Sequence, residues 1–200
     1  MRCAHSLNRV TNMVDAVGIT KYTYTSGGQL YTEDGPFTSD TVTNIYTSRL
    51  RTGLGLQQPT SFWTNKFAYD SARRLTSVTS PAGAFTYQLP NSQPSTLVQK
   101  LSLPNTSYIT NNYDHVGRLL FTRLNNSSHT TLNSHTYAYN LGNQRTQQVF
   151  SAGSTYNYTY DPIGQLKVAD SATASEDRGY VYDAAWNLNW RTNGGKIQIH

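Results

Sequence analysis

In the stretch Ser154–Leu166, STYNYTYDPIGQL, tyrosines fall on every second residue at Tyr156, Tyr158 and Tyr160, and the alternation stops at Asp161 and Pro162. Successive residues of a β-strand point to opposite faces, so the three tyrosines share one face, with Asn157 and Thr159 on the other. The break has turn chemistry. Asp161, Pro162 and Gly164 suit positions i, i+1 and i+3 of a type I turn: Asp bonds the following backbone, Pro presets φ, and Gly accepts positive φ. A type I turn followed by a left-handed residue is a common hairpin loop with a bulge, so Asp161 is expected to serve shape rather than chemistry. SPAG, Ser80–Gly83, carries Pro and Gly in the same order.

The stretch has relatives along the chain. YTYTSGGQL from Tyr22, FAYDSARRL from Phe67, NNYDHVGRL from Asn111, YAYNLGNQR from Tyr137 and YVYDAAWNL from Tyr180 align with YTYDPIGQL from Tyr158 without gaps. Fainter copies surround Tyr46 and Tyr87. Anchored on Tyr24, Tyr46, Tyr69, Tyr87, Tyr113, Tyr139, Tyr160 and Tyr182, the array beats about every 22 residues, with room for two strands and two turns per beat. The expectation is all-β: one stretch of tandem hairpins over residues 1–200, about sixteen short strands in a curved antiparallel sheet, with no separate catalytic domain. LNRV at Leu7–Val10 reads as the tail of a further unit, and both ends of the sequence read as cuts through the array. Asn143 tolerates the left-handed position in place of Gly, whereas Arg73 and Trp186 would cost about 1–2 kcal/mol there, so their turns should be strained or differently built. A single hairpin cannot stand alone: burying two or three tyrosines at roughly 1.5–3 kcal/mol each does not offset ordering its backbone at about 1–2 kcal/mol per residue. Neighbouring hairpins must pair and share the aromatic face.

Composition agrees and excludes several functions. Charged residues are 14% of the chain, while aromatics are 12%, with fifteen Tyr, six Phe and three Trp. That mixture favours strands. Net charge is +5 at a pI near 9.3, but the cations are scattered with no basic run, which gives no stripe for nucleic acid. The single Cys3 excludes an internal disulfide framework and a cysteine zinc site, and no base accompanies it as a nucleophile. No run approaches the roughly 18 apolar residues of a membrane span, and the opening MRCAHSLNRV lacks the apolar core of a secretory signal.

Taken together, these residues resemble the YD repeats of RHS proteins. The likeness rests on Tyr69-Asp70, Tyr113-Asp114, Tyr160-Asp161 and Tyr182-Asp183, on Gly28, Gly117 and Gly164, and on the GRLL and GQL segments that follow. It spans nearly the whole chain. Asp is replaced at Thr25, Thr47, Gln88 and Asn140, and Gly at Arg73, Asn91, Asn143 and Trp186. The resemblance implies a long antiparallel strip wound into a hollow shell that encloses a C-terminal toxin or effector polypeptide, secreted or at the cell surface, with other RHS repeats as neighbours. It carries over no catalytic residue and no cofactor.

The remaining constellations have competing readings. Asp70, Asp114, Asp161 and Asp183 recur at one place in the beat, as a ladder of cation sites or paired glycosidase carboxylates would; turn initiation explains the recurrence together with the adjacent Gly and Pro. His115, His129 and His135 lack metal-ligand spacing and read as solvated turn residues, with TTLNS between the last two as a loop or hairpin. GLGLQQ at Gly53–Gln58 lacks the third glycine and the Lys-Ser/Thr of nucleotide loops. Trp63, Trp186 and Trp190 interrupt the repeat and are the candidates for glycan contact, the alternative being an extracellular carbohydrate-binding or adhesion module.

Overall fold

The computed structural model describes residues 2–6, 9–90, 95–194 and 196–199. Apart from one 3-10 turn at Ala174–Glu176, all its regular structure is β-strand, and the chain packs as two units, Met1–Asn105 and Thr106–His200. Unit 1 runs β1 (Arg2–Ser6), β2 (Arg9–Val14), β3 (Ile19–Tyr24), β4 (Leu30–Asp34), β5 (Val42–Thr47), β6 (Leu50–Gln58), β7 (Ser61–Tyr69), β8 (Leu75–Ser80), β9 (Gly83–Gln88) and β10 (Lys100–Ser102). Unit 2 runs β11 (Tyr108–Tyr113), β12 (Leu119–Asn125), β13 (Thr131–Tyr139), β14 (Arg145–Phe150), β15 (Thr155–Tyr160), β16 (Leu166–Ser171), β17 (Arg178–Tyr182), β18 (Leu188–Asn193) and β19 (Lys196–Ile199). Within each unit every strand pairs antiparallel with the next in sequence, a plain meander. The strands beyond the sixteen expected are β19 and the β1–β2 hairpin, in which His5 faces Val10 as the anchoring tyrosines face their partners. Leu7 and Asn8 of the LNRV motif, Asn91, Gly195 and His200 lie outside the described residues, as does the side chain of Cys3.

One irregularity recurs with the repeat. In the hairpins anchored at Tyr24, Tyr46, Tyr69, Tyr113, Tyr139, Tyr160 and Tyr182 the register slips by one residue just inside the turn, as where Thr159 faces Val168 but Tyr160 faces Leu166. The post-turn strand carries the extra residue, a bulge that sharpens local twist. The Tyr87 hairpin is the exception: β9 and β10 pair in regular register, and a long loop joins them.

Among the described residues no side chain is fully buried, and those classed as buried are Asn44, Gly53, Gly55, Leu89, Asn125 and Ala169. A two-layer domain would bury one face of its sheet completely. Here the strands entering the YD turns alternate instead between half-buried tyrosines and exposed small polar residues, as at Tyr156, Tyr158 and Tyr160 against Asn157 and Thr159. Gly53 and Gly55 of GLGLQQ sit inside β6, where a Cβ on Gly55 would lie 2.6 Å from the Phe62 ring. The glycines let large neighbours lie flat on the backbone. His135 corrects the sequence reading: TTLNS is the start of β13, and the imidazole packs half-buried against Phe150 at 4.9 Å between ring centroids. Its alternation with Tyr137 and Tyr139 places it in the aromatic row rather than in a turn.

Candidate functional site

The repeated element is the turn. At Asp161 the Gly164 N–H donates to the Asp161 carbonyl (3.1 Å), and the Asp161 N–H donates to that of Gln165 (2.9 Å). The Asp161 Oδ1 accepts from the Ile163 and Gln165 N–H groups at 3.0 and 2.8 Å. The same backbone pair closes the turns that begin at Thr25, Asp70, Asp114, Asn140 and Asp183. Gly28, Gly117 and Gly164 occupy the left-handed position at φ of 82°, 85° and 94°, and Arg73, Asn143 and Trp186 occupy it at 61°, 63° and 66°. The turns of Arg73 and Trp186 are therefore built like the others and carry the strain of a side chain at positive φ. At the second end of SPAG, Gly83 takes φ 114° and faces Ser80.

The carboxylates are occupied by this geometry. The Arg74 N–H, the largest influence, and the Arg74 guanidinium hold Asp70 below the usual carboxylate range. Partial burial pushes Asp114 the other way but is outweighed by the Arg118 N–H and guanidinium, so it too lies low. Asp183 is lowered by the backbone and side chain of Asn187. Hydrogen bonds to the ionised form favour it.

Two sets of side-chain bonds tie each turn to its neighbours. Anchoring tyrosines reach back: Tyr24 Oη donates to the Val10 carbonyl (2.7 Å), Tyr46 to Leu30 (3.0 Å), Tyr69 to Arg51 (2.9 Å), Tyr139 to Leu119 (2.8 Å), Tyr160 to Arg145 (2.7 Å) and Tyr182 to Leu166 (3.1 Å). In each case the acceptor is the residue facing the anchor of the preceding hairpin. The residue four beyond the turn-opening position reaches forward: Gln29 Nε2 to the Arg49 carbonyl (3.1 Å), Arg118 Nη1 to that of Asn140 (3.1 Å) and Gln144 Nε2 to that of Gly164 (3.1 Å). Arg74 uses the same reach to pin the long loop through the Pro90 and Ser95 carbonyls at 3.2 and 2.8 Å. Val10 fits this scheme as the acceptor of a preceding unit. The phenol bonds were not foreseen; their signal was the invariable hydroxyl at the anchors, where Phe would pack as well.

On unit 2 the strand pairings gather Tyr137, Tyr139, Arg145, Gln148, Phe150, Tyr156 and Tyr158 on one face. Phe150 meets Tyr156 edge-on at 5.6 Å, Tyr156 stacks on Tyr158 at 6.5 Å, and Tyr158 Oη donates to Gln148 Oε1 at 3.3 Å. The Arg145 guanidinium lies 4.1 Å over the Tyr137 ring. Burial pushes the Tyr158 phenol up, with Arg145 pulling the other way. Tyr156 Oη donates to Glu176, which raises the phenol and lowers the carboxylate.

The tryptophans are not gathered. Trp63 lies in β7 of unit 1 and donates to Asn65 Oδ1 (3.0 Å), whereas Trp190 sits in β18 of unit 2 facing Val181. Trp186 stands 70% exposed at its turn and edges an open concavity of about 390 Å³ shared with Ile163, Lys167 and Val181. Among the described residues no group of three His, Cys, Asp or Glu side chains converges as a metal site, and no helix is long and apolar enough to cross a membrane.

No protein-family model and no curated protein matches the sequence. Solved structures do. The crystal structure of TcdB2-TccC3-Cdc42 superposes on 93% of this chain with a TM-score of 0.57 at 15% identity, and TcdB2-TccC3 without its hypervariable C-terminal region on 96% with 0.59 at 14%. TcdB2-TccC3-TEV gives 0.55 over 96% at 14% identity. The chain spans 11% to 13% of the length of those proteins. The turn ladder and the bulged hairpins of this all-β chain therefore sit in a fold shared with the TcdB2-TccC3 structures.

Proposed function

We infer that this chain is a length of RHS-type shell wall, which encloses or presents a toxin or effector polypeptide and acts outside the cell that makes it, beside other RHS repeats. The observation that carries the reading is the lack of a second layer: hairpins locked to one another through turn carbonyls bury no complete side chain among the described residues, which suits a wall and not a catalytic cleft. The recurrent carboxylates are spent on turn N–H groups, which supports a role without catalysis or a cofactor. Electron cryomicroscopy of the complete protein that carries this chain tests it. A hollow particle with a wall one sheet thick and polypeptide density inside is expected; a solid particle in which a second layer covers the sheet overturns the reading.

Trp186 favours a second reading. An exposed indole held at φ 66°, where glycine costs less, beside an open concavity is the arrangement of a stacking platform for a sugar ring. Trp186→Gly suits the turn and should leave folding intact. Glycan-array binding by the parent chain that disappears in this variant supports an adhesion module; a parent chain that binds no glycan ends that reading.

A further inference from the structure

Among the described residues, no acid pairs with two guanidinium groups on the aromatic face of unit 2. Arg145 faces Tyr139 across the strand pair and lies over the Tyr137 ring, and its Nε is buried without a hydrogen-bond partner. Arg191 faces Tyr180 across the next pair but one, and its Nε is also buried and unpartnered. The acid nearest in this row, Glu176, accepts from Tyr156 and Ser171 instead. The ion pairs Asp70–Arg74 and Asp114–Arg118 belong to turns. Guanidinium N–H groups left without partners form the planar fork that takes a carboxylate through two parallel N–H bonds.

We propose that this face of unit 2 docks an extended acidic polypeptide, with Arg145 and Arg191 each receiving a Glu or Asp carboxylate. Charge complementarity supports this occupant: the chain has 16 Lys and Arg against 11 Asp and Glu, and four of those acids are held in YD turns. A polypeptide fits better than a small acid. An open, half-exposed arginine holds a single carboxylate weakly in water, whereas two on one chain add through effective concentration. The aromatic rings between them supply apolar contact for the stems of Glu side chains. The proposal deepens the shell reading by giving the enclosed polypeptide a chemistry, but its test uses this 200-residue chain alone, so it can fail while a hollow particle is still seen, and the reverse.

Fluorescence anisotropy of labelled poly-L-glutamate against the chain is the measurement, with free glutamate as competitor and poly-L-lysine as control. Binding of poly-L-glutamate that falls as salt rises, about tenfold weaker in the Arg145→Gln, Arg191→Gln double variant, is expected. Arg145→Lys keeps the charge and loses the fork, so it should fall between. Arg123→Gln removes a cation from the opposite face, where Arg123 lies 4.2 Å over Phe121, and should leave binding within about twofold of the parent. Equal losses from Arg123→Gln and Arg145→Gln would show attraction to net charge alone and overturn the proposal. So would millimolar free glutamate displacing the polymer, which marks a small-acid site, or no binding at low salt.

Discussion

The two ends of the hairpins differ in uniformity. At the ends that carry Asp70, Asp114, Asp161 and Asp183, one turn is repeated, one bulge follows it, and side chains reach from each turn to the carbonyls of its neighbours. The opposite ends close in several ways: two residues at Pro59–Thr60 and Pro81–Ala82, the same backbone pair as the YD turns at Asn126 and Phe150, a 3-10 turn at Ala174–Glu176 and a longer loop between β4 and β5. Cross-links at those ends are local fits, such as Pro36 and Pro104 seated where a Cβ on Gly18 or Gly83 would come within 2.5 Å. The contrast teaches where register is held. With no side chain fully buried among the described residues to align neighbouring hairpins, the YD ends align them through directional bonds, and the other ends vary in length.

The largest effect should come from disturbing a YD turn together with its link. Gly28→Val places a branched side chain at φ 82° and drives it into the Arg9 guanidinium, which lies over Tyr24. A loss of about 2–3 kcal/mol in urea unfolding is expected. The same change at Gly153 of the opposite ends, at φ 86° with open space around it, should cost about 1–2 kcal/mol from strain alone. Equal costs would erase the contrast between the ends.

Removing one link is milder. Tyr160→Phe deletes the bond to the Arg145 carbonyl and should cost about 1–1.5 kcal/mol, while Tyr158→Phe, whose hydroxyl meets only Gln148 at 3.3 Å, should cost less than about 0.5 kcal/mol. The comparison breaks if the two phenols prove interchangeable. In the other direction, Arg73→Gly relieves a left-handed residue and should gain about 1 kcal/mol, and Asn143→Gly should gain less because asparagine tolerates that conformation. Thermal unfolding resolves that order; a loss in Arg73→Gly would mean that its side chain matters more than its backbone.

Acid should act at the YD ends, and gently, because their carboxylates meet solvent. Asp70, Asp114 and Asp183 titrate below their unfolded value of roughly 3.9, so their contribution is complete above that pH and is lost as pH falls through the lower folded values. The unfolding midpoint of the parent should drop as pH falls below about 4, and Asp114→Asn should flatten part of that drop. An unchanged slope in the variant would mean that other groups dominate acid unfolding.

Much of this architecture is legible without coordinates, and particular residues show why. Asp161, Pro162 and Gly164 spell a turn because each acts on the backbone within four residues, and the alternation of Tyr156, Tyr158 and Tyr160 spells a strand because side-chain period is a local property. His135 was misplaced because TTLNS is small and polar, yet pairing with β12 and β14 on either side extends it as a strand. The long loop after Tyr87 and the β1–β2 hairpin likewise depend on which strand lies opposite, not on the residues themselves.

By itself, then, the sequence determined the beat, the strand-turn alternation, the acidic corners and the RHS resemblance, all set by interactions that span a few residues. The tertiary structure decided what the tyrosine hydroxyls and the Arg and Gln side chains bond, that Arg73 and Trp186 keep the common turn at positive φ, and that the Nε atoms of Arg145 and Arg191 are buried without a partner. Those outcomes need partners about one repeat away, brought close only when hairpins lie side by side at roughly 4.8 Å spacing.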